Sequence, residues 1–454
     1  MKTRNVGASA APRVLLTDTT RWAISVRVAL GLSQAGCEVF AVCPSRHPLM
    51  KSGVVRQVFP YRGILPLGSV LRAIRSCDPA LIIPCDDRGV QHLHELHQHA
   101  QQSKRGARGL ASLLERSLGA ADSFPVVASR YELLEIARQE GVRVPRTFAI
   151  RSARELPELA GSQPFPWVLK ADGTWGGGGV KIVDSVVQGE QALEELRRTF
   201  RLKRVVKRWL VNRDSFWLRP WWNDVKPPIV FQAHVNGRPA NCAALCWEGQ
   251  ILAVICVEVV SADGLTGPAN VVRVVQSQEM TGAAERLARR LRLSGFFGLD
   301  FMIDDQTGEA YLIEMNPRAT PLCHFRLGKR RDMVGALTAR LRGQSAADAP
   351  PVTERECIAY FPQAWATQTQ NLESCFQDIP EAEPELLQEL LRPWPDRSLL
   401  FRAINSLQRL KSLVCGRQRA NAGERPGLDP GPIVFSTYKR EGHREARPTY
   451  QETE

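Results

Sequence analysis

Residues 298–318, GLDFMIDDQTGEAYLIEMNPR, decide the expected fold. They read as two strands joined by an Asp-Gln-Thr-Gly turn, with Asp300 on the first strand and Glu314 and Asn316 on the second. Glu314 and Asn316 are two positions apart, so on a strand both side chains point to one face. A hairpin can place Asp300 opposite them. Three oxygen-bearing side chains are therefore expected to converge on one face of a sheet.

This trio has the chemistry of a magnesium site. Mg²⁺ is a hard cation that takes a few carboxylate or amide oxygens and keeps other positions for water and nucleotide phosphates. Arg318 falls on the same face if the second strand continues, where its charge would neutralise negative charge on a phosphoryl group in transfer. The hairpin is thus predicted to hold a metal-bound nucleotide.

A glycine-rich segment, residues 167–183 (WVLKADGTWGGGGVKIV), adds a phosphate-binding signal. An apolar strand delivers Lys170, a turn containing Gly173 and residues 176–179 follows, and a second strand comes next. Glycines let backbone N–H groups approach phosphate oxygens, and the lysine supplies a positive charge. The segment lacks the spacing and the following helix of a Walker loop. A flexible hairpin turn is the alternative interpretation of this segment taken alone.

The two segments together resemble the ATP-grasp superfamily, which includes carbamoyl-phosphate synthetase, biotin carboxylase and D-alanine ligase. The resemblance rests on a lysine before a glycine-rich loop and, over a hundred residues later, an acidic strand residue, a turn and Glu-x-Asn-Pro-Arg. It covers about residues 126–343. The register of Asp300, Glu314, Asn316 and Arg318 makes the metal motif specific, whereas no subfamily is indicated.

The resemblance implies roles for individual residues. Lys170 and an earlier cation, here Arg130, would bind the nucleotide phosphates, and Lys170 and Arg318 would be catalytic. The adenine strand would be residues 231–237 (FQAHVNG). Its predicted contacts, together with those of the glycine loop, are Gln232, Val235, Gly176, Gly177 and Gly178. Ala233 and Pro239 stand where the family often has acidic ribose contacts, so this chain departs from the pattern there.

Outside this core the sequence predicts three further regions. Strand-like and helical segments alternate from Arg13 to Asp87, which indicates a parallel α/β domain whose ligand edge lies at the carboxyl ends of its strands. The expected fold is therefore α/β and α+β: a parallel pre-ATP-grasp domain, a two-lobed ATP-grasp core and a helical or irregular C-terminal extension. The predicted boundaries are 1–125, 126–205 for the small lobe, 206–345 for the large lobe, 346–415 for the extension and 416–454 for a disordered tail.

These assignments predict an ATP- and Mg²⁺-dependent ligase, with Mn²⁺ as an alternative metal, that activates a carboxylate as an acyl phosphate for attack by an amine or another nucleophile. The glycine loop is expected to close over the phosphates, because an acyl phosphate hydrolyses in bulk water. Two alternatives remain open: a sensor or scaffold that binds ATP without ligation, and a binder of anionic surfaces or nucleic acid. The oligomeric state is also open, with a homodimer as one candidate.

Bulk properties narrow the class of protein. The net charge of +13 is compatible with an anionic partner, yet the aromatic residues, 7% of the chain, do not alternate with basic ones, so nucleic acid is not favoured. Eleven cysteines without a CxxC pair indicate reduced thiols, and Cys242 and Cys246 are interpreted as buried and free. No apolar stretch reaches the ~20 residues of a membrane helix. A cytoplasmic protein without a membrane span is expected.

Three other segments carry weaker signals. The tryptophan-rich insertion at residues 209–222 could recognise a large acceptor or pack within its own domain. The basic apolar run at residues 399–413 could dock on the protein, a partner or an anionic membrane. His94 and His97 would be neighbours on a helix, and a solvated helix face is the preferred interpretation over a metal site.

Overall fold

The computed structural model describes residues 11–102, 108–172, 179–198, 228–264, 267–367, 369 and 372–392. Four segments interpreted from the sequence lie outside the described residues: Gly176–Gly178, the tryptophan-rich insertion, the basic run at 399–413 and the tail. Within the described residues, no helix has the length and the apolar character needed to cross a membrane.

The first region is a parallel sheet of four strands in the order β3-β2-β1-β4. Its strands are β1 (Arg13–Thr17), β2 (Glu38–Cys43), β3 (Val55–Pro60) and β4 (Leu81–Pro84). The helices are α1 (Ile24–Gln34), α2 (Pro66–Cys77), α3 (Asp87–Gln102) and α4 (Arg108–Leu118). β1 and β4 are neighbours, so their carboxyl ends meet at one edge of the sheet. Asp18 and Asp86, which follow these two strands, therefore lie side by side.

The second region, the small lobe, is an antiparallel sheet in the order β5-β8-β6-β7. Helices α5 (Phe124–Ala128) and α6 (Arg130–Gln139) lead into it. Its elements are β5 (Thr147–Ile150), α7 (Leu156–Ala160), β6 (Trp167–Ala171), β7 (Val180–Val183), α8 (Val186–Arg198) and β8 (Ile229–Ala233). Trp167 is fully buried and meets Phe231 edge-on, with 5.4 Å between ring centroids. This aromatic pair ties β6, which carries Lys170, to the adenine strand predicted at β8.

The third region, the large lobe, is a sheet whose described strands follow the order β13-β12-β9-β10-β11-β14-β15. The strands are β9 (Gly237–Trp247), β10 (Gln250–Ala262), β11 (Ala269–Val275), β12 (Gly295–Asp304), β13 (Ala310–Asn316), β14 (Cys357–Ala359) and β15 (Phe376–Gln377). The helices are α9 (Gln278–Leu291), α10 (Met333–Leu341), α11 (Gln363–Ala366) and α12 (Pro384–Leu391). All its pairings are antiparallel except that of β14 with β15.

Both faces of the large sheet are packed. Along β9, Cys242 and Ala244 belong to the apolar core shared with α6 and α9. The alternate residues Ala243 and Leu245 belong to a second core shared with β1, α1 and α10. Side chains of successive strand residues point to opposite faces, so each core takes every second residue. The predicted combination of a parallel α/β domain with antiparallel α+β lobes is confirmed.

Two smaller interpretations have different outcomes. Cys242 and Cys246 are buried free thiols, as expected. The solvated face predicted for the histidine-rich helix is wrong, because His92 and His97 of α3 are buried. His92 Nε2 lies 3.0 Å from the hydroxyl of Tyr61, and His97 Nε2 lies 2.8 Å from Glu115 Oε1. Neighbouring tertiary structure supplies these partners, which helical spacing cannot reveal.

Candidate active site

The β12–β13 hairpin brings the predicted metal ligands together. Asp300 and Glu314 are directly paired across the two antiparallel strands. Asn316 Nδ2 donates to Asp300 Oδ2 at 2.9 Å, and Asn241 Nδ2, from the neighbouring β9, donates to Asp300 Oδ1 at 2.6 Å. Burial, followed by the negative charge of Glu314, raises the pKa of Asp300 to about 6, although the hydrogen bonds from Asn241 and Asn316 act in the opposite direction. Two carboxyls and one amide thus meet where an added cation would relieve their repulsion.

A β-bulge in this hairpin produces a feature that the sequence did not predict. Asp300 pairs with Glu314, but the next residue, Phe301, pairs with Leu312, so Ile313 is the extra residue of the bulge. Its carbonyl oxygen accepts hydrogen bonds from Lys170 Nζ and from Gln232 Nε2, each at 3.4 Å. The bulge therefore directs one backbone carbonyl of the large lobe toward two predicted nucleotide contacts of the small lobe.

Arg130, at the start of α6, connects the two lobes. Its Nη2 donates to Glu314 Oε1 at 2.6 Å, and its Nη1 donates to Asp172 Oδ1 at 3.1 Å and to the carbonyl of Ala171 at 3.3 Å. These attractions, with that of Lys170, keep the pKa of Glu314 below its usual range although burial opposes them. The predicted phosphate-binding arginine and a predicted metal ligand are thus direct partners.

Lys170 is 4% exposed at the end of β6. Burial lowers its pKa to about 8, while the carboxylate of Glu314 favours the charged form and the guanidinium of Arg130 opposes it. The ammonium group therefore keeps its charge near neutral pH and loses it on mild alkalinisation. A buried cation of this kind, close to an acidic pair, is suited to an anionic ligand.

Arg318 links the hairpin to the N-terminal domain. Its Nε donates to Asp87 Oδ1 at 3.0 Å, its Nη2 to Asn316 Oδ1 at 3.0 Å and its Nη1 to the carbonyl of Ala319 at 3.3 Å. Asp87 is the first residue of α3, directly after the carboxyl end of β4. Sequence reasoning marked that edge for ligands but did not pair Asp87 with Arg318, since the two residues lie 231 positions apart.

The remaining predicted contacts divide into three groups. Gln232 is 2% exposed on β8 and faces Ile313, so it lies with Lys170. Val235 is half-buried in the segment between β8 and β9 and makes no contact that brings it to the acidic pair among the described interactions. Gly176, Gly177 and Gly178 lie outside the described residues.

A second acidic pair lies beside Asp87, at the carboxyl ends of β1 and β4. Asp86 Oδ2 accepts from the backbone N–H and the hydroxyl of Thr19, at 2.6 and 2.8 Å. Leu49 N–H donates to Nδ1 of His47, and Nε2 of the same ring lies 3.2 Å from Asp18 Oδ2 and 3.4 Å from the backbone nitrogen of Trp22. Burial is the first cause that raises the pKa of both Asp18 and Asp86 to about 6, and it lowers the pKa of His47 to about 3.

The donor set on the hairpin fits Mg²⁺. Among the described residues there is no group of three or more His, Cys, Asp or Glu side chains that could hold a metal, so a site built from soft or imidazole ligands is not found there. Asp300, Glu314 and Asn316 offer oxygen atoms only, in a small number. This is the ligand type and count that Mg²⁺ uses when nucleotide phosphates complete its shell.

Comparisons with known proteins agree with the fold. A family model for the ATP-grasp domain matches residues 127–321. The carbamoyl phosphate synthase large chain of Rubrobacter xylanophilus is 28% identical over 206 residues, which are 45% of this chain and 18% of that relative. The chain therefore matches less than a fifth of the length of this relative.

Solved structures show the same fold at low sequence identity. The biotin carboxylase domain of Hydrogenobacter thermophilus 2-oxoglutarate carboxylase, in complex with MgADP, ADP and bicarbonate, matches with a TM-score of 0.50 and 15% identity, over 76% of this chain and 72% of that one. The N5-carboxyaminoimidazole synthetase of Staphylococcus aureus, complexed with ADP, matches with a TM-score of 0.51 and 13% identity, over 75% and 80% of the two chains. Identity this low supports the architecture alone.

Proposed function

The chain is a member of the ATP-grasp superfamily, and from this premise we propose that it is an ATP-dependent ligase that joins a small-molecule carboxylate to an amine. One observation carries the proposal. Across the two lobes, the buried cations Lys170 and Arg130 face the acidic pair Asp300 and Glu314. A triphosphate and a divalent cation are the ligands whose charges complement these two groups.

Asp300, Glu314 and Asn316 would hold Mg²⁺. The ion, when bound, supplies positive charge to the nucleotide phosphates and lowers the cost of transferring the terminal phosphoryl group. Asn241 keeps Asp300 in place through its 2.6 Å hydrogen bond, and Arg318 fixes the amide of Asn316 through its 3.0 Å hydrogen bond. Such supporting contacts orient the ligands before the ion arrives.

The small lobe would supply the contacts to the nucleotide. Lys170 is charged at neutral pH and would contact the phosphates, with Gln232 beside it for the base. Arg130 reaches both lobes and would hold them at the separation that its contacts with Asp172 and Glu314 set. Several fixed cations around one triphosphate also offset the repulsion between its oxygens.

The reaction would proceed in two transfers. A carboxylate oxygen of the first substrate attacks the γ-phosphorus of ATP, and the bond between this phosphorus and the bridging oxygen of the β-phosphate breaks. ADP is the leaving group, and the substrate becomes an acyl phosphate. The amine then attacks the acyl carbon, orthophosphate departs and the amine loses a proton, which completes an amide. Arg318 would stabilise the charge on the transferred phosphoryl group, because it lies beside Asn316 and is held by Asp87.

The experiment is a screen of carboxylate and amine pairs for ADP release by the purified full chain. A ligase releases ADP and phosphate only when ATP and one particular carboxylate are both present. The Glu314→Gln variant serves as the background control in every well. Nucleotide binding without carboxylate-dependent ADP release in any pair would instead describe a sensor, and that result would contradict the proposal.

A further inference from the structure

A cavity of about 310 Å³ lies between the β12–β13 hairpin and helix α9. Phe301 of β12 and Ala310 of β13 form one wall, and α9 forms the other. Phe301 directly follows Asp300, so the two side chains leave the strand on opposite faces. The cavity therefore lies on the face of the large sheet that packs against α9, separate from the predicted nucleotide site.

Three cavity residues lie on one side of α9. Glu279, Ala283 and Arg286 are spaced by four and three residues, the spacing of one helix face. Ala283 is small, so it leaves room between the two charged side chains. A Cβ added to Gly282 would lie 3.4 Å from Nη1 of Arg286, which shows that this glycine also gives the guanidinium space.

The charges of Arg143 and Glu279 are already matched. Arg143 Nη1 donates to Glu279 Oε1, and its Nη2 donates to Glu309 Oε1 at 2.8 Å. Glu279 Oε2 accepts from the backbone N–H of Ala310 at 3.0 Å. Arg143 also lies over the ring of Tyr311, 5.6 Å from its centroid. Arg143 and Glu279 therefore have partners within the protein, and few of their donors and acceptors remain for a ligand.

Unlike Arg143 and Glu279, Arg286 has no charged partner among the described residues. Its Nε is shielded from solvent and has no hydrogen-bond partner, and no ion pair of its guanidinium occurs among the described residues. A shielded N–H donor loses its water without recovering a bond, which is unfavourable unless a ligand completes it. A guanidinium offers five donors in a fixed fork that matches the oxygens of a carboxylate or a phosphate.

We propose that this space, the Arg286 cavity, is a binding site for a small anion, either a carboxylate or a phosphate group, with Arg286 as its main partner. The volume is about ten times the ~30 Å³ that one water occupies in the liquid. It therefore has room for inorganic phosphate or a small organic acid. The apolar wall of Phe301, Ala283 and Ala310 would cover the rest of such a molecule.

A simple packing defect does not account for the cavity. Voids left by imperfect packing are lined by apolar side chains and stay dry. Here the wall contains the guanidinium groups of Arg143 and Arg286 and the carboxylate of Glu279. Arg143 is paired with Glu279 and Glu309, so Arg286 is the wall charge for which the described residues supply no ion pair. The inference does not depend on ligase activity, because none of these residues belongs to the proposed nucleotide or metal site.

Isothermal titration calorimetry of the full chain with inorganic phosphate, and separately with acetate, tests the site. We expect Arg286→Gln to weaken binding of the preferred anion at least tenfold, since it removes a charge-assisted contact. Arg289→Gln removes the same charge from an exposed position of the same helix and should bind as the wild type does. Lys170→Gln, which affects the nucleotide site, should also leave this binding unchanged.

A second variant keeps every charge and fills the space. Ala283→Val adds two methyl groups inside the cavity and should also weaken anion binding, while circular dichroism checks that each variant is folded. Absence of binding to either anion in the wild type overturns the proposal. So does an equal loss in Arg286→Gln and Arg289→Gln, or a loss in Lys170→Gln with binding retained in Arg286→Gln, which would place the anion in the nucleotide site.

Discussion

Two acidic pairs of the described residues have different surroundings. Asp300 and Glu314 lie in the hairpin beside Arg130, Lys170 and Arg318. Asp18 and Asp86 lie at the edge of the N-terminal sheet. The pKa of Asp300, Asp18 and Asp86 is raised to about 6 in each case, with burial as the first cause. Burial alone therefore does not distinguish a ligand site from a structural one.

The partners of the two pairs make the distinction. Around the sheet-edge pair the donors are backbone N–H groups and the hydroxyl of Thr19, and the neutral ring of His47 lies beside Asp18; these neighbours suit a pair that shares one proton. In the hairpin pair Asn241 and Asn316 donate to Asp300, and the cations Arg130 and Lys170, which an anionic ligand could recruit, lie beside Glu314. The charge of Arg318 acts on both pairs. The first pair therefore has its partners within the N-terminal domain, whereas the second has the charges that the proposed metal and nucleotide would complement.

The largest expected effect comes from Glu314→Gln. This change removes a predicted metal ligand and the charge partner of Arg130 together. We expect ATP turnover to fall by roughly 10²–10³-fold, the range found when one electrostatic contact to a transition state is lost. The measurement is carboxylate-dependent ADP release.

Glu285→Gln on α9 is the matched control, because it removes the same charge from the same lobe at a residue with no hydrogen bond or ion pair to the hairpin among the described residues. It should keep wild-type turnover. Full activity of Glu314→Gln would show that the hairpin pair does not hold the metal. The two acidic pairs would then not differ in function.

The second effect concerns Lys170. Its pKa of about 8, lowered first by burial from the usual 10.5, means that its charge disappears as the pH rises from 7 to 9. We expect nucleotide affinity to fall about tenfold at pH 9, since one pH unit above a pKa leaves about a tenth of the group charged. The measurement is a titration of a non-hydrolysable ATP analogue by calorimetry at pH 7, 8 and 9.

Lys170→Arg separates this cause from general alkaline effects. A guanidinium stays charged throughout this range, so the variant should show little change in affinity between pH 7 and 9 even if its absolute affinity is lower. An equal fall in the variant and the wild type would assign the pH dependence to another group.

The sequence was informative where local rules determine geometry. Strand periodicity placed Glu314 and Asn316 together, the turn placed Asp300 opposite, and the structure pairs Asp300 with Glu314. The alternation of strands and helices in the first hundred residues predicted the parallel sheet. These features depend on spacings of a few residues, which a single sequence displays directly.

Long-range pairings could not be obtained in the same way. Arg130 pairs with Glu314 across 184 positions, and Arg318 pairs with Asp87 across 231. The bulge at Ile313 is equally hidden, because one extra residue in a strand leaves the alternation of apolar residues ambiguous. The roles predicted for the site residues themselves stay predictions until turnover is measured.

The third effect tests the link between the two regions. Asp87 holds Arg318 and neighbours the sheet-edge pair, so Asp87→Asn keeps one acceptor oxygen but removes the charge. We expect kcat to fall several-fold, consistent with a charged hydrogen bond replaced by a neutral one, while KM for ATP changes little. Steady-state kinetics measure both constants. Asp305→Asn, which affects an ion pair with Arg238 on the surface, should change neither, and an equal decrease in kcat there would remove Asp87 from the mechanism.

The smallest effect lies in the sheet-edge pair and concerns stability. In the folded chain Asp18 keeps its proton up to a pKa of about 6, against an ordinary 3.8. Between these values the folded state binds more protons than the unfolded state, so its free energy of unfolding decreases as the pH rises through this window. Asp18→Asn removes the contribution of Asp18, whereas Asp86, whose pKa is also raised to about 6 and first by burial, stays in both chains.

The quantity to measure is therefore the difference in Tm between Asp18→Asn and the wild type, by scanning calorimetry from pH 4.5 to 7. We expect this difference to shift in favour of the variant by roughly 2–5 °C. His47, whose pKa is lowered to about 3, has the opposite trend, but it is present in both chains and cancels in the difference. Asp78→Asn, at an 88% exposed position of the same domain, should give a difference that is constant with pH. If the Asp18→Asn difference were also constant, Asp18 would not hold its proton up to a pH of about 6, and the surroundings of the sheet-edge pair would not raise its pKa.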